Sequence, residues 1–145
     1  MSQRCAAVLG ALFLCACGAG VYGKVQELRS DTIRGDSIRV IVVIAGENES
    51  SDRQLAGRVR EQLNEAGFTA VRRQGTWESE ETALADICPL GQPSDTHGVL
   101  FVWWNQLDLR HCATHRRAYQ IQAGYRGVDY MFRRLLRYLN PRSNG

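Results

Sequence analysis

A chain of 145 residues, 44% hydrophobic and 23% charged with 3 prolines and a formal charge of +3, suffices for one ordinary globular domain. That arithmetic excludes a multidomain enzyme, a collagen-like chain and a wholly disordered one. Of the five cysteines, Cys5, Cys15 and Cys17 fall within the first 17 residues, a region with a different character from the rest.

The chain opens Met-Ser-Gln-Arg and then runs uncharged from Cys5 to Gly23. A cation, a short apolar stretch and a series of small residues have the layout of a secretory signal. The uncharged run approaches the roughly 20 residues needed to span a bilayer. Gly and Ala dominate its last part, so hydrophobicity fades where a spanning helix still needs it.

Leu14-Cys15-Ala16-Cys17 resembles the lipobox of bacterial lipoproteins: a leucine, a tolerant position, a small residue and the modified cysteine. The resemblance implies cleavage before Cys17, a diacylglycerol on its sulfur and acylation (palmitate among the chains) of the new amino terminus. Cys15 does not fit as the modified residue, because the bulky Leu14 would precede it. The basic region is thinner than the family's, with Arg4 alone. Gly18 rather than Asp follows the cysteine, which implies the outer membrane in enteric bacteria. The alternative is an uncleaved anchor helix, and both readings place the rest outside the cytoplasm. Each buried methylene contributes roughly 0.8 kcal/mol and one acyl chain binds only marginally, so the two or three chains of a lipobox protein make a stable anchor. On this reading residues 1–16 are the signal peptide and 17–36 a lipidated, Gly-containing tether of mixed charge. Residues 37–141 are the folded domain and 142–145 a tail.

Removal of the signal leaves Cys17 lipidated and Cys88 and Cys112 in an oxidising compartment, where a disulfide persists. The alternative is two unpaired buried thiols. A Cys88–Cys112 bridge closes about 25 residues and contributes roughly 3 kcal/mol on the chain-entropy model.

Within the domain, Ser37–Ile44 is β-branched and almost continuously apolar, which predicts a strand buried on both faces. Ser51 followed by Gln54 is a capping-box pair, Leu55, Val59, Leu63 and Ala66 follow at helical spacing, and Gly67 stands at the C-cap. Phe68–Arg72 reads as a short strand. A second helix starts near Ser79, carries Ala83, Leu84, Ile87 and Cys88 on one face and stops at Pro89 and Gly91. Gly98–Trp104 is apolar at both parities, a central strand, while Asn105–His111 and Arg117–Ala123 alternate as a hairpin. Trp103 and Trp104 point to opposite sides. Val128, Phe132, Leu135 and Leu139 line a terminal helix that ends at Asn140-Pro141.

The expected fold is therefore a single α/β domain bordering on α+β, in two or three layers, with element order β-α-β-α-β-β-α and a mixed sheet. This order resembles the small α/β domains of envelope assembly lipoproteins, among them the amino-terminal domain of TolB and the curli-secretion and penicillin-binding-protein-activator lipoproteins. The similarity covers Ser37 to Asn140 as an order of elements without a shared motif, so it carries over no functional residue.

Candidate chemistry is sparse. The loop Ala45–Asp52 sits where α/β proteins bind ligands. Its Glu47, Glu49 and Asp52 repel phosphate, which argues against a nucleotide. Their spacing lacks the EF-hand pattern, and acidic residues are favoured beside a helix N-terminus in any case. Asp108, His111, Cys112 and His115 bring together residue types that ligate zinc or pair a thiolate with an imidazole. A disulfide at Cys112 excludes both uses, and the competing reading is a polar hairpin tip. Neither a Gly-x-Ser-x-Gly elbow nor a His-Glu-x-x-His motif occurs.

Charge is uneven: residues 18–96 hold 9 Lys/Arg against 13 Asp/Glu, residues 97–145 hold 8 Arg against 2 Asp. In the last helix Arg126, Tyr130, Arg133 and Arg137 share a face suited to phosphate, carboxylate or a protein surface, or simply to water. The expectation is a non-enzymatic periplasm-facing lipoprotein that binds an envelope partner, with no cofactor, no metal, no nucleotide and no nucleic acid. The alternatives are an anionic ligand- or lipid-binding domain using the basic C-terminal half, and a small metal- or thiol-dependent enzyme at Asp108, His111, Cys112 and His115.

Overall fold

The computed structural model describes residues 24–47, 50–123 and 126–144, so the lipobox and Cys17 lie outside the described residues. Among the described residues six strands form one mixed sheet: β1 (Gln26–Arg29), β2 (Val40–Ala45), β3 (Thr69–Arg72), β4 (Gly98–Trp103), β5 (Gln106–His111) and β6 (Arg117–Gln122). Their spatial order is β1-β6-β5-β4-β2-β3. The β4-β2-β3 part is parallel, and the β1-β6-β5-β4 part is antiparallel. Among the described residues three helices, α1 (Ser50–Glu65), α2 (Glu80–Ile87) and α3 (Gly127–Leu139), complete an α/β fold, with one-turn 3-10 segments at Gly35–Ser37 and Pro141–Asn144.

The strands sort their side chains by parity. Ile41, Val43, Leu100, Val102, Leu107, Leu109, Tyr119 and Ile121 face α1 and α3 in the larger core, with Ala56, Val59 and Leu63 from α1 and Met131, Phe132, Leu135 and Leu139 from α3. Val42, Ile44, Val99 and Phe101 face the other way, onto Ala83 and Leu84 of α2 and the sulfurs of Cys88 and Cys112. Two helices on one face and one on the other make three layers.

The C-cap at Gly67 forms as its sequence requires. Gly67 adopts φ 98°, its N–H reaches Asn64 O at 3.1 Å, and Phe68 N–H reaches Leu63 O at 3.0 Å, a Schellman motif sealed by the buried Phe68–Leu63 apolar pair. Ser79 caps α2, its Oγ accepting from Thr82 N–H at 3.1 Å. The N-terminus of α1 differs from expectation. The helix begins at Ser50, which puts Ser51 inside the first turn instead of at the cap.

A larger correction concerns the expected tether. Residues 26–29 are a sheet strand, so ordered structure starts well before residue 37. β1 pairs antiparallel with β6, and Ser30 N–H donates to Ala118 O at 2.9 Å. The strand escapes hydrophobic patterning because its core-facing residue is Glu27. That carboxylate accepts from Arg134 Nη2 at 2.6 Å and from the Tyr119 hydroxyl. Burial pushes its pKa up, but the hydrogen bonds from Arg134 and Tyr119 and the charges of Arg134 and Arg29 prevail and hold it below the ordinary value. Farther along, Tyr138 Oη donates to Ile33 O at 2.6 Å, so α3 fastens the stretch after β1 as well.

Candidate functional site

The stripe of α3 expected to face outward does so. With Val128, Met131, Phe132, Leu135, Tyr138 and Leu139 buried, Arg126, Arg133 and Arg137 are exposed and Tyr130 is half-buried. The Arg126 guanidinium lies 5.1 Å from the Tyr130 ring centroid and that of Arg134 lies 6.0 Å from it, so the ring sits between two cations. Arg134 also holds Glu27, whereas Arg133 and Arg137 have no acidic side chain within ion-pair distance among the described residues. Asp129, on the same helix, is committed to Arg58 of α1 at 3.1 Å, which depresses its pKa.

The hairpin tip after β5 brings its expected residues only partly together. Cys112 is bonded to Cys88, with Cα atoms 5.6 Å apart, joining the end of α2 to the end of β5. His115, at φ 61°, places its Nε2 2.7 Å from Cys88 O, and His111 Nδ1 lies 3.2 Å from Thr114 Oγ1. Burial first, and then the nearby His97, push the His111 pKa down. His97 is engaged as well: its Nδ1 accepts from the N–H groups of Arg39 and Val40 at 2.9 and 3.2 Å. The His97 and His115 imidazoles thus brace backbone, and that of His111 meets a hydroxyl. Among the described residues no group of three or more His, Cys, Asp or Glu is placed to hold a metal ion.

Asp108 leaves that cluster altogether. It points under α2, fully buried, between Arg117 Nε at 3.1 Å and Arg110 Nε at 3.5 Å. Glu80 at the start of α2 meets Arg110 Nε at 3.4 Å and forms a carboxyl pair with Asp108. Burial, and next the hydrogen bond and charge of Asp108, push the Glu80 pKa up to about 7, against Arg110 and Arg117.

Beside this charge network opens a crevice, one wall of which, Ala45–Glu47, begins the loop expected where α/β proteins bind ligands. The chain leaves β2 outward to β3 and returns past it to β4, so the strand order reverses between β2 and β4. Open α/β sheets hold ligands in the crevice at the carboxyl ends of such strands. Here a crevice of about 550 Å³ is lined by Ala45, Gly46 and Glu47 after β2, Phe101 and Trp103 of β4, Gly75–Glu81 ahead of and into α2, and Arg53 of α1. The Trp103 indole lies so close over Gly46 that a Cβ there would sit 2.1 Å from its Cε2. Gly75 plays the same part for Trp77, where a Cβ would approach the ring to 2.6 Å. Trp77 Nε1 donates to Asp86 Oδ2 at 3.2 Å, and Trp103 stacks on Phe101 at 6.3 Å. Trp104, by contrast, stands exposed in the β4–β5 turn. The available signal was the glycine directly after the first parallel strand and the Gly75-Thr76-Trp77 run after the next.

No family model and no curated protein matches the chain.

Proposed function

We propose that the chain is a non-enzymatic lipoprotein of the bacterial envelope, anchored through Cys17, whose α/β domain faces the periplasm and binds a partner in envelope assembly or maintenance. The observation that supports this most is the Cys88–Cys112 disulfide. Such bonds persist in oxidising compartments and are rare in the cytosol, so the folded domain argues for the same side of the membrane as the first 17 residues. The two signals are independent, one from covalent geometry and one from the lipobox resemblance. The partner surface is assigned to Arg126, Tyr130, Arg133 and Arg137.

The test is the intact mass of membrane-extracted protein, before and after reduction with thiol alkylation. Loss of residues 1–16, a gain of acyl mass, and Cys88 and Cys112 blocked until reduction are the expected result. An uncleaved chain with free thiols overturns the reading. Arg133→Ala with Arg137→Ala is expected to abolish cross-linking to a co-purifying envelope protein while leaving the mass unchanged.

A second reading, that the basic face takes an anionic ligand or lipid head group, is favoured by the two exposed arginines beside the Arg126–Tyr130 stack. For the soluble domain lacking residues 1–17 it predicts salt-sensitive retention on anionic vesicles that falls in the same double variant. Retention equal on neutral vesicles overturns it.

A further inference from the structure

The other face of the sheet carries a site of opposite sign. We propose that the crevice lined by Trp77 and Trp103 binds an organic ammonium ion. Its volume of about 550 Å³ falls within the roughly 300–1,000 Å³ of small-molecule sites, and it opens at the strand-order reversal where such sites form.

Three properties fix the ligand's chemistry. First, two indoles line the crevice, Trp103 seated against the backbone of Gly46 and packed on Phe101, Trp77 seated against Gly75. Indole faces are negative and attract cations. Second, Glu47, Glu78 and Glu81 are exposed around the opening, against Arg53 in the lining and Arg110, whose Nη2 lies 3.8 Å from Glu81. A cleft lined mainly by one sign of charge concentrates ions of the other. Third, these carboxylates do not converge on a point: no three form a metal-holding group among the described residues. Diffuse negative charge over a wide, partly apolar space suits a large, weakly hydrated cation. A divalent metal needs a tight shell of oxygens, and a phosphate is repelled. A neutral sugar would stack on the indoles but would leave the carboxylate field unused.

The experiment uses the full chain in non-ionic detergent, with Trp104→Phe so that the remaining indoles are the two of the crevice. Choline and spermidine are titrated against intrinsic fluorescence, with N-acetylglucosamine as the neutral probe. A saturable change with either amine is expected, and Glu78→Gln with Glu81→Gln weakens it at least about fivefold, as does high salt. Both glutamates are exposed, so this variant keeps its fold. Trp77→Leu is expected to abolish the response, and circular dichroism separates that from unfolding. Choline binding more tightly than spermidine assigns the site to quaternary ammonium groups, and the reverse order to polyamines. No saturation by either at about 10 mM, well above a weak 1 mM site, overturns the proposal. So does a sugar that binds at least as well as the amines, or an amine affinity unchanged in the glutamine variant.

Discussion

One face of the sheet is closed by helices of 16 and 13 residues, the other by a helix of 8. Under the long helices most strand residues are apolar; among the exceptions Glu27 is held by Arg134 and Tyr119, Arg29 lies over the Tyr119 ring and Arg72 lies beside Gly57 of α1. Under the short helix the apolar cluster spans β2 and β4, then gives way to Asp108, Arg110 and Arg117 on β5 and β6. Apolar burial yields roughly 25 cal/mol per Å², so the first face supplies most of the stability. The second has too little helix to cover its strands and is left with a crevice, a carboxyl pair and a disulfide. Stability and chemistry are therefore divided between the two sides of one sheet.

The largest effect that can break this division lies on the closed side. Leu63 of α1 is fully buried, and Leu63→Ala is expected to cost about 3 kcal/mol in urea unfolding. Val71, on the edge strand with its side chain on the α2 side, is 55% exposed, and Val71→Ala should stay within about 0.5 kcal/mol. Comparable losses at the two positions would mean that the faces share the load.

Next in size is the disulfide, which staples the thin layer by joining residues 24 apart at the ends of α2 and β5. Cys88→Ala with Cys112→Ala is expected to lose about 3 kcal/mol or slightly less. Reductant should lower the thermal midpoint of the parent chain and leave that of the double variant unmoved. A parent insensitive to reductant would show that the short helix holds by packing alone.

The two sides also differed in how legible they were. The closed face was readable because its signals are regular: the apolar steps of α1 and α3, the glycine of a Schellman turn, the continuous apolar runs of β2 and β4 and the alternation of β5 and β6 all report burial directly. The edge strand β1 was not, since Gln-Glu-Leu-Arg shows no apolar alternation and its place depends on an ion pair 107 residues away in sequence. The outward stripe of α3 followed from helical spacing. The crevice did not, because a cavity is made by three segments, 45–47, 75–81 and 101–103, that meet only once the strand order is known. Asp108 was misplaced with His111 and His115 for a related reason: neighbours in sequence on a strand point to opposite sides, and its true neighbours come from α2 and β6.

A smaller effect tests the Glu27 carboxylate of the closed face. Tyr119→Phe removes a hydroxyl that donates to Glu27 and is expected to cost about 1 kcal/mol at neutral pH. Because Glu27 has its pKa lowered from 4.5 in the fold, its contribution is full above that value and is lost as pH falls through the folded pKa. The difference between parent and variant should therefore shrink in acid, as urea midpoints along a pH series will show. A difference constant down to low pH would assign the loss to packing of the ring instead.

The smallest effect, and the one of opposite sign, belongs to Glu80 on the open face. Its pKa is raised from 4.5 to about 7 by burial and by Asp108, so between those values the folded chain holds a proton that the unfolded chain has released. Stability should then fall as pH rises from about 4.5 to 7, the reverse of the Glu27 contribution. Glu80→Gln keeps an N–H to donate to Asp108 and removes the titration, so it should flatten that slope and make the variant the more stable of the two above pH 7. The side chain is 25% exposed and can turn toward water when ionised, which caps the gain at about 1 kcal/mol. Arg110 and Arg117 oppose the shift, and if they dominated, Glu80→Gln would destabilise at neutral pH and steepen nothing. A gain above pH 7 would mean that the open face gives up stability to keep two carboxyls together beside the crevice, where the closed face gives up none.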